Sequence, residues 1–380
     1  MGKKNLFIVF CVIAFIGSFG ISYILFSKVA PKNVSSPLPP VSGGQVAFDD
    51  TLPKTQPCPL NGQLYSKQQE DWWLKHRPLG IMIENHQDAR PQSGINSADV
   101  VYEAVAEGGI TRTLNVFYCQ NFAQVGPVRS ARTYFLDWIS EYGDSPLYTH
   151  VGGANTSGPA DALSQINDYG WGAYNDMNQF SIGFPTFWRD YNRLGHAAAT
   201  EHTMYSTTDK LWDVAKTRGL TNASKDGTPW TKGFVPYTFK DDVPAALAQT
   251  VHLEFWGDAA YNVDWKYDPK TNLYMRNNGG VPHIDKDTGK QLFAKNIIVM
   301  YMAQSHANDG YEANVHLLYN NKGTGKAVIF MDGKQILGTW SKAKRTDRTQ
   351  ILDSTGKEVS FDRGKIWFEI LPLDGIVNVK

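Results

Sequence analysis

The sequence lacks an excess of either charge. Its 380 residues include 37 lysines and arginines and 37 aspartates and glutamates, so the formal net charge is zero. A general nucleic-acid binder needs clustered cations to contact phosphates, and this composition argues against that class. Hydrophobic residues make up 42% of the chain, which has 11 tryptophans. Most of the chain must therefore fold compactly rather than remain disordered.

Common catalytic and metal-binding motifs are also absent. Histidines do not occur at H-x-x-x-H or H-E-x-x-H spacing, Ser130 lies in no G-x-S-x-G elbow, and the glycine-rich loop after His150 lacks a GK[ST] ending. We expect Ser130 to cap a helix rather than act as a nucleophile, and we expect no metal and no cofactor; whether the protein is an enzyme is left open at this point. A metal site assembled from His86, His150 and His202 with nearby carboxylates is the alternative.

Charge is missing from one long N-terminal segment, residues 6–26, which reads LFIVFCVIAFIGSFGISYILF. This segment is long enough to cross a bilayer as a helix and longer than a signal-peptide core. Lys3 and Lys4 favour a cytoplasmic N-terminus. Cys11 follows Phe10 rather than a small residue, so we do not expect lipid attachment there. We predict an uncleaved signal-anchor in residues 1–30, a single pass through the cell membrane and an extracytoplasmic body; a cleaved signal peptide is the alternative.

Cysteine is scarce, with three in the whole chain. Because Cys11 lies in the apolar segment, Cys58 and Cys119 are the two that remain in the exported part. Two thiols in an oxidising compartment usually pair. We therefore predict a disulfide between them, with two buried free cysteines as the alternative.

Composition divides the exported part into three segments. Residues 31–57 are rich in Pro, Ser and Gly and predict a linker. Residues 58–225 mix short strands and helices without regular βαβ spacing. Residues 226–380 contain mainly strand-like runs separated by Asp-Gly and Asn-Gly turns. The prediction is an α+β fold, with a mixed N-terminal domain followed by a mainly β C-terminal domain.

Residues 98–119 predict a β-hairpin that turns at Gly108-Gly109, where positive φ is needed. Pairing outward from that turn sets Val105 opposite Arg112. Because side chains alternate between the faces of a strand, Glu103, Glu107 and Arg112 should then share one face. We expect Arg112 to lie within salt-bridge distance of at least one of the two glutamates.

Two arginines, Arg129 and Arg132, lie where a Gly-Pro turn precedes a predicted helix at residues 130–143. One interpretation is an anion site, because a helix N-terminus offers free N–H groups and guanidinium adds bidentate donors. The other is a buried network in which the arginines neutralise Glu103 and Glu107. Both interpretations can hold at once.

The unusual polar residues of the first half supply two sets of candidates. Candidate ligand-binding residues are Asn85, Arg90, Arg112, Arg129 and Arg132. Candidate acids, bases and assisting residues are Glu84, Glu103, Glu107, His150 and His202. The first set favours binding of an anionic envelope polymer or glycan. The second favours a hydrolase or transferase acting on envelope glycans. Arginine beside the glutamates keeps them ionised, and we therefore prefer binding.

Several long motifs resemble one known family. "RPLGIMIENHQDARPQSGINSADVVYEAVAEGGITRTLNVFY", "QVGPVRSARTYF" and "YTHVGGA" in the first half, and "VDWKYDPKTNLYMRNNGG" and "GKIWFEILP" in the second, are similar to the YerB-like family of bacterial envelope proteins. The resemblance runs from about Cys58 to the end. It implies an exported, membrane-attached body of two domains, often a lipoprotein, with a domain of unknown function. It brings no established catalytic residues. The apolar segment in place of a lipobox departs from the family pattern.

Overall fold

The computed structural model describes residues 46–247 and 249–380. The predicted membrane anchor at residues 6–26 lies outside the described residues. Within the described ranges, none of the helices is both long and apolar enough to cross a bilayer. The α-helices are α1 (Lys67–Trp73), α2 (Thr133–Ile139), α3 (Ala162–Asp168), α4 (Gln179–Ile182) and α5 (Thr208–Thr217). Short 3-10 turns are at Gln87–Ala89, Ile95–Ser97, Thr200–His202, Ala259–Tyr261 and Glu312–Asn314.

Strands dominate the described chain. In chain order they are β1 (Lys54–Pro57), β2 (Leu64–Ser66), β3 (Leu79–Glu84), β4 (Val100–Val105), β5 (Thr111–Phe117), β6 (Leu147–His150), β7 (Asp176–Asn178), β8 (Trp188–Arg189), β9 (Met204–Tyr205), β10 (Phe239–Lys240), β11 (Gln249–Glu254) and β12 (Val263–Asp268). The remaining strands are β13 (Leu273–Asn278), β14 (Val281–Pro282), β15 (Phe293–Ala294), β16 (Asn296–Tyr301), β17 (Gln304–His306), β18 (Leu317–Tyr319), β19 (Gly323–Met331), β20 (Lys334–Lys342), β21 (Gln350–Asp353), β22 (Phe361–Asp362), β23 (Ile366–Leu371) and β24 (Ile376–Val379).

The central element is a ten-stranded mixed sheet with the order β21-β20-β19-β16-β23-β4-β5-β3-β6-β7. Its middle strands are apolar and buried on both faces, as expected when both faces of a sheet are covered. β23, near the C-terminus, lies parallel to β4 on one side and to β16 on the other. Strands from both predicted domains therefore share this sheet. The boundary at residue 225 stays a prediction.

A six-stranded antiparallel sheet is built from the second half, with β14-β13-β12-β11-β24 in order and β15 beside β13. Alternation of buried and exposed residues along β12 shows that one of its faces is covered. Trp265 of this sheet contacts Trp367 of the main sheet edge-to-face, with ring centroids 5.1 Å apart. Beyond residue 225 the described chain contains strands and short 3-10 turns but no α-helix. The α+β fold with a mainly β second half is confirmed.

The helix after Pro127 differs from the prediction. It spans Thr133–Ile139 rather than residues 130–143, and Arg132, with an extended backbone, is its N-cap residue. Ser130 is therefore not a helix cap, because it lies before the cap position. α2 packs on the main sheet, where a Cβ on Gly80 would lie 2.6 Å from the Ile139 side chain. A glycine in β3 thus permits the close approach of this helix.

The hairpin of β4 and β5 forms as predicted, but its register is shifted by one residue. Gly108 and Gly109 have positive φ, and the Ile110 N–H donates to Glu107 O. The carbonyl of Ile110 also accepts from the Ala106 N–H, so two residues of one strand oppose a single residue of the other. This bulge sets Ala104, not Val105, opposite Arg112. A shift of one residue reverses the faces, and the predicted shared face of Glu103 and Arg112 is wrong.

The predicted disulfide is present. Cys58 and Cys119 are bonded, with Cα atoms 6.0 Å apart. Cys58 follows β1 and Cys119 lies just beyond the end of β5, so the bond joins the segment after β1 to the central hairpin. Both residues are buried in the hydrophobic core.

Candidate functional site

The polar residues of the first half form two networks on opposite faces of the main sheet. The first, which we call the Glu103 network, lies between the two large sheets. It comprises Asn85, Arg90, Glu103, Thr111, Arg276, Asn278 and Glu369. The second, the arginine cluster, lies on the face covered by α2. It comprises Glu84, Glu107, Arg112, Arg129, Arg132 and His202.

Glu103 is fully buried in its network and pairs with an arginine that the sequence analysis did not consider. Its Oε2 accepts a 2.6 Å hydrogen bond from Arg276 Nη2. Glu369 lies directly beside Glu103 on the neighbouring parallel strand, 3.6 Å from Arg276 Nη1. Burial and the charge of Glu103 raise the pKa of Glu369 well above its usual range. One buried guanidinium thus lies beside two carboxyl groups.

Asn85 and Arg90, two predicted ligand-binding residues, belong to the Glu103 network. Asn85 Nδ2 donates to Thr111 Oγ1 at 2.7 Å and to Asn278 Oδ1 at 2.9 Å. Arg90 donates from Nε and Nη2 to the carbonyl of Asn85, and from Nη1 to that of Ala260. Asn85 is thus engaged by side chains and Arg90 by backbone carbonyls, and the two residues brace the end of β3 against the second half of the chain.

The arginine cluster begins with Glu107, which accepts from two arginines. Arg112 Nη2 lies 2.8 Å from Glu107 Oε2, and Arg132 Nε donates to Glu107 Oε1. Arg112 is 6% exposed, and its Nε and Nη1 have no hydrogen-bond partner among the described residues. The expected salt bridge from Arg112 to at least one of the two glutamates is therefore made by Glu107.

Glu84 forms the second half of the arginine cluster. It lies opposite Arg112 in the pairing of β3 with β5, so both side chains share one face. Its Oε2 lies 2.9 Å from Arg129 Nε and 2.9 Å from His202 Nδ1. Three arginines thus share two carboxylates. Among the described residues no further carboxylate lies within ion-pair distance of these arginines, which leaves one positive charge unmatched.

These contacts set the protonation of the carboxylates. Burial alone would raise the pKa of Glu107, but the charges of Arg112 and Arg132 outweigh it and lower that pKa to about 2. Burial likewise opposes ionisation of Glu84, but its hydrogen bond with His202 and the charge of Arg129 lower its pKa. The hydrogen bond to Glu84 raises the pKa of His202. Both glutamates are therefore carboxylates at neutral pH, and neither is a ready proton donor.

A cleft of about 680 Å³ opens beside Arg129. The motifs "GPVRSAR" and "THVGGAN" both contribute to its wall, and they are joined by backbone hydrogen bonds such as that from the Val151 N–H to the Arg129 carbonyl. Its hydrogen-bonding side chains are those of Arg129, Ser130, Asn155, Asn178, Arg189 and Thr200. Glu201 is the sole carboxylate among the described residues of the wall. Phe180, 74% exposed, adds an apolar ring.

His150 supports this cleft from behind. It is fully buried, with Nε2 2.6 Å from Asp176 Oδ1 and Nδ1 2.6 Å from the carbonyl of Gly152. Gly152 has a φ of +58° and lines the cleft. Because both ring nitrogens are engaged, His150 holds the glycine loop in place and presents no free nitrogen to the cleft.

The structure thus brings Glu84, Glu107, Arg112, Arg129, Arg132 and His202 together, and places Asn85, Arg90 and Glu103 in the other network. Sequence reasoning missed Arg189 and Arg276. Arg276 lies two residues after Tyr274, so both side chains are on the inward face of β13. A charged residue at a position where the alternation predicts a buried one could have marked Arg276 as a candidate. Arg189 lies in β8, a strand of two residues that is too short for any periodicity to mark it.

Comparisons with known proteins identify relatives over most of the chain. Two family models match, "Protein of unknown function (DUF3048) N-terminal domain" at residues 63–221 and the corresponding C-terminal domain at residues 251–368. The chain is 30% identical over 328 residues to "Putative lipoprotein YerB" of Bacillus subtilis, covering 86% of this chain and 89% of that protein. The crystal structure of YerB from Bacillus subtilis superposes with a TM-score of 0.69 at 26% identity, covering 86% of this chain and all of that one. From these matches and the shared fold, we conclude that the chain belongs to the YerB-like family, a two-part domain of unknown function.

Proposed function

We propose that this protein is a membrane-attached envelope protein that binds an anionic glycan or wall polymer in the cleft beside Arg129. The observation that carries the proposal is the arrangement of charges. Arg129 lines the cleft, while its carboxylate partner Glu84 is 2% exposed and lies behind it. A ligand therefore meets the guanidinium of Arg129 rather than the carboxylate of Glu84.

A second guanidinium in the cleft also favours a negatively charged ligand. Arg189 also lines the cleft and donates to Thr200 O and Thr203 Oγ1, with no carboxylate within ion-pair distance among the described residues. Arginine is suited to carboxylate and phosphate because its planar fork donates two parallel hydrogen bonds. The exposed ring of Phe180 offers a flat apolar face against which a sugar ring can pack.

Attachment to the envelope is part of the proposal. The relative from Bacillus subtilis carries the name of a lipoprotein, and a disulfide is typical of exported proteins. For this chain we propose a single-pass anchor at residues 6–26 with the body outside the membrane. The glycan hydrolase or transferase alternative is not favoured, because Glu84 and Glu107 have lowered pKa values and Glu103 is buried in the other network.

Binding to three oligomers tests the proposal: polyglycerol phosphate, a hexuronate oligomer and a neutral glucose oligomer. We expect the full-length chain, solubilised in detergent, to bind one or both anionic oligomers and to release them as salt rises. Arg129→Gln and Arg189→Gln should each weaken binding by about 10–100-fold, the loss expected for one charge-assisted hydrogen bond. Arg363→Gln, at a surface pair with Asp241, is the matched control. Equal binding by all three variants and wild type would exclude the cleft.

A further inference from the structure

Two histidines and an aspartate from distant parts of the chain meet beside the arginine cluster. His86 and Asp88 lie at the end of β3 and in the 3-10 turn that follows it. His202 ends the 3-10 turn at Thr200–His202. One potential ligand atom from each of these three residues lies within 4.8 Å of the other two.

Two of these three side chains are at least partly exposed, so a dissolved ion can reach the group. The side chains of His86 and Asp88 are 30% and 70% exposed, whereas that of His202 is 6% exposed. The two imidazole rings stack with centroids 4.8 Å apart and planes 13° apart. A tetrahedral zinc ion about 2.0–2.1 Å from each ligand needs ligand atoms roughly 3.3 Å apart. Rotation of the exposed Asp88 side chain can bring its carboxylate to that spacing.

His202 is oriented in the manner of a metal ligand. Its Nδ1 lies 2.9 Å from Glu84 Oε2, which fixes the ring through a buried carboxylate. Metal-binding histidines characteristically use one ring nitrogen for such a carboxylate and the other for the ion. His202 Nε2 has no hydrogen bond to any described residue. Glu84 thus engages Nδ1 and leaves Nε2 available to an ion.

We propose that His86, Asp88 and His202 bind one divalent transition-metal ion, with Glu84 orienting His202 and water completing the coordination. Two imidazoles and one carboxylate are ligands suited to Zn²⁺ and neighbouring first-row ions. The site shares Glu84 with the arginine cluster, but metal binding does not require an anionic ligand in the cleft. An ion here would place a second positive centre near Arg129.

Metal titration without any anionic glycan tests the site. The full-length chain would be purified with an affinity tag free of histidine, treated with a chelator, and titrated with Co²⁺ and Zn²⁺. We expect one saturable site per chain, with visible Co²⁺ absorption bands that Zn²⁺ abolishes by displacement. Asp88→Asn changes an exposed side chain, and His86→Gln changes a partly buried one whose role as acceptor from the Asp88 N–H a Gln oxygen can take over, so both variants should fold normally. Each should weaken Zn²⁺ binding by at least the roughly 10–100-fold typical of outer-shell changes.

Two further variants separate the site from adventitious binding. Glu84→Gln should weaken Zn²⁺ binding while leaving the Co²⁺ bands qualitatively similar, because it orients a ligand without being one. His196→Gln, at an exposed histidine hydrogen-bonded to the adjacent Ala197 carbonyl, should bind like wild type. Absence of a saturable site, or a site unaffected by His86→Gln and Asp88→Asn, would overturn the proposal. Either result would leave the anionic-ligand proposal standing, since that one is tested without metal.

Discussion

Glu103 and Arg276 form a fully buried ion pair across the boundary between the two large sheets, with 2.6 Å between Oε2 and Nη2. Arg276 also lies between the rings of Trp265 and Trp367, at 5.4 and 4.8 Å from their centroids. The guanidinium therefore both offsets the charge of Glu103 and packs against two tryptophan rings. The network around it belongs to the interior of the fold rather than to the cleft.

Arg276→Met should strongly destabilise the protein. The change leaves Glu103 and Glu369 side by side in the interior without their shared cation. Loss of one partner of a buried pair costs about 3–5 kcal/mol of unfolding free energy. Chemical unfolding followed by tryptophan fluorescence measures the loss. Arg363→Met at the surface is the control, and an unfolding curve for Arg276→Met that overlays the control would contradict this account.

Arg112→Met should also lower stability, although the residue belongs to the arginine cluster. Arg112 is buried and its charge offsets both Glu107 and Glu84. We expect a loss of about 3–5 kcal/mol, in contrast to Arg129→Gln, which changes a side chain 25% exposed. Thermal unfolding of the two variants beside wild type makes the comparison. A melting temperature for Arg112→Met within a degree or so of wild type would indicate that Arg112 serves ligand binding rather than stability.

Acid should destabilise the protein partly through Glu107. Its pKa is about 2 in the folded state, against an ordinary value of 4.5. A lowered folded-state pKa contributes stability above pH 4.5, and this contribution is lost as the pH falls toward 2. Glu107→Gln should therefore show a shallower decline in unfolding free energy between about pH 4.5 and 2 than wild type. Parallel declines in the two proteins would mean that Glu107 is not held by its arginines.

Reduction of the Cys58–Cys119 bond should destabilise the folded body. The two cysteines are 61 residues apart, and the chain-entropy model gives on the order of 4 kcal/mol for a loop of that size. Unfolding of the Cys58→Ser, Cys119→Ser double variant beside wild type measures this, with wild type in reductant as a second comparison. Two titratable thiols in protein isolated from the membrane under non-reducing conditions would argue against the bond.

Much of the local structure could be predicted from short-range patterns. The hairpin turn is marked by a Gly-Gly pair and forms at its predicted place, and the helix after Pro127 forms within its predicted range. The hairpin register could not be predicted, because a one-residue bulge at Ala106 and Glu107 leaves no mark in the pattern of apolar residues. That single bulge decided which face Glu103 occupies, and so which arginine it meets.

The contacts that define the two networks depend on long-range pairing. Glu103 meets Arg276, and Glu84 meets His202, only because separate strands and turns pack together. Spacing along the sequence carries no information about such encounters. For the same reason the absence of a helical histidine motif could not exclude a metal site shared by His86 and His202.

The position of β23 has a consequence for biosynthesis. This strand, Ile366–Leu371, is made long after β4 and β5, yet it separates β4 from β16 at the middle of the ten-stranded sheet. Until the ribosome has completed it, the hairpin of β4 and β5 has one open edge whose N–H and C=O groups can pair with other chains. A product truncated before Ile366 would keep that edge permanently. The centre of the sheet therefore cannot close until translation has passed Leu371, and termination before Ile366 should yield aggregates rather than a shortened folded body.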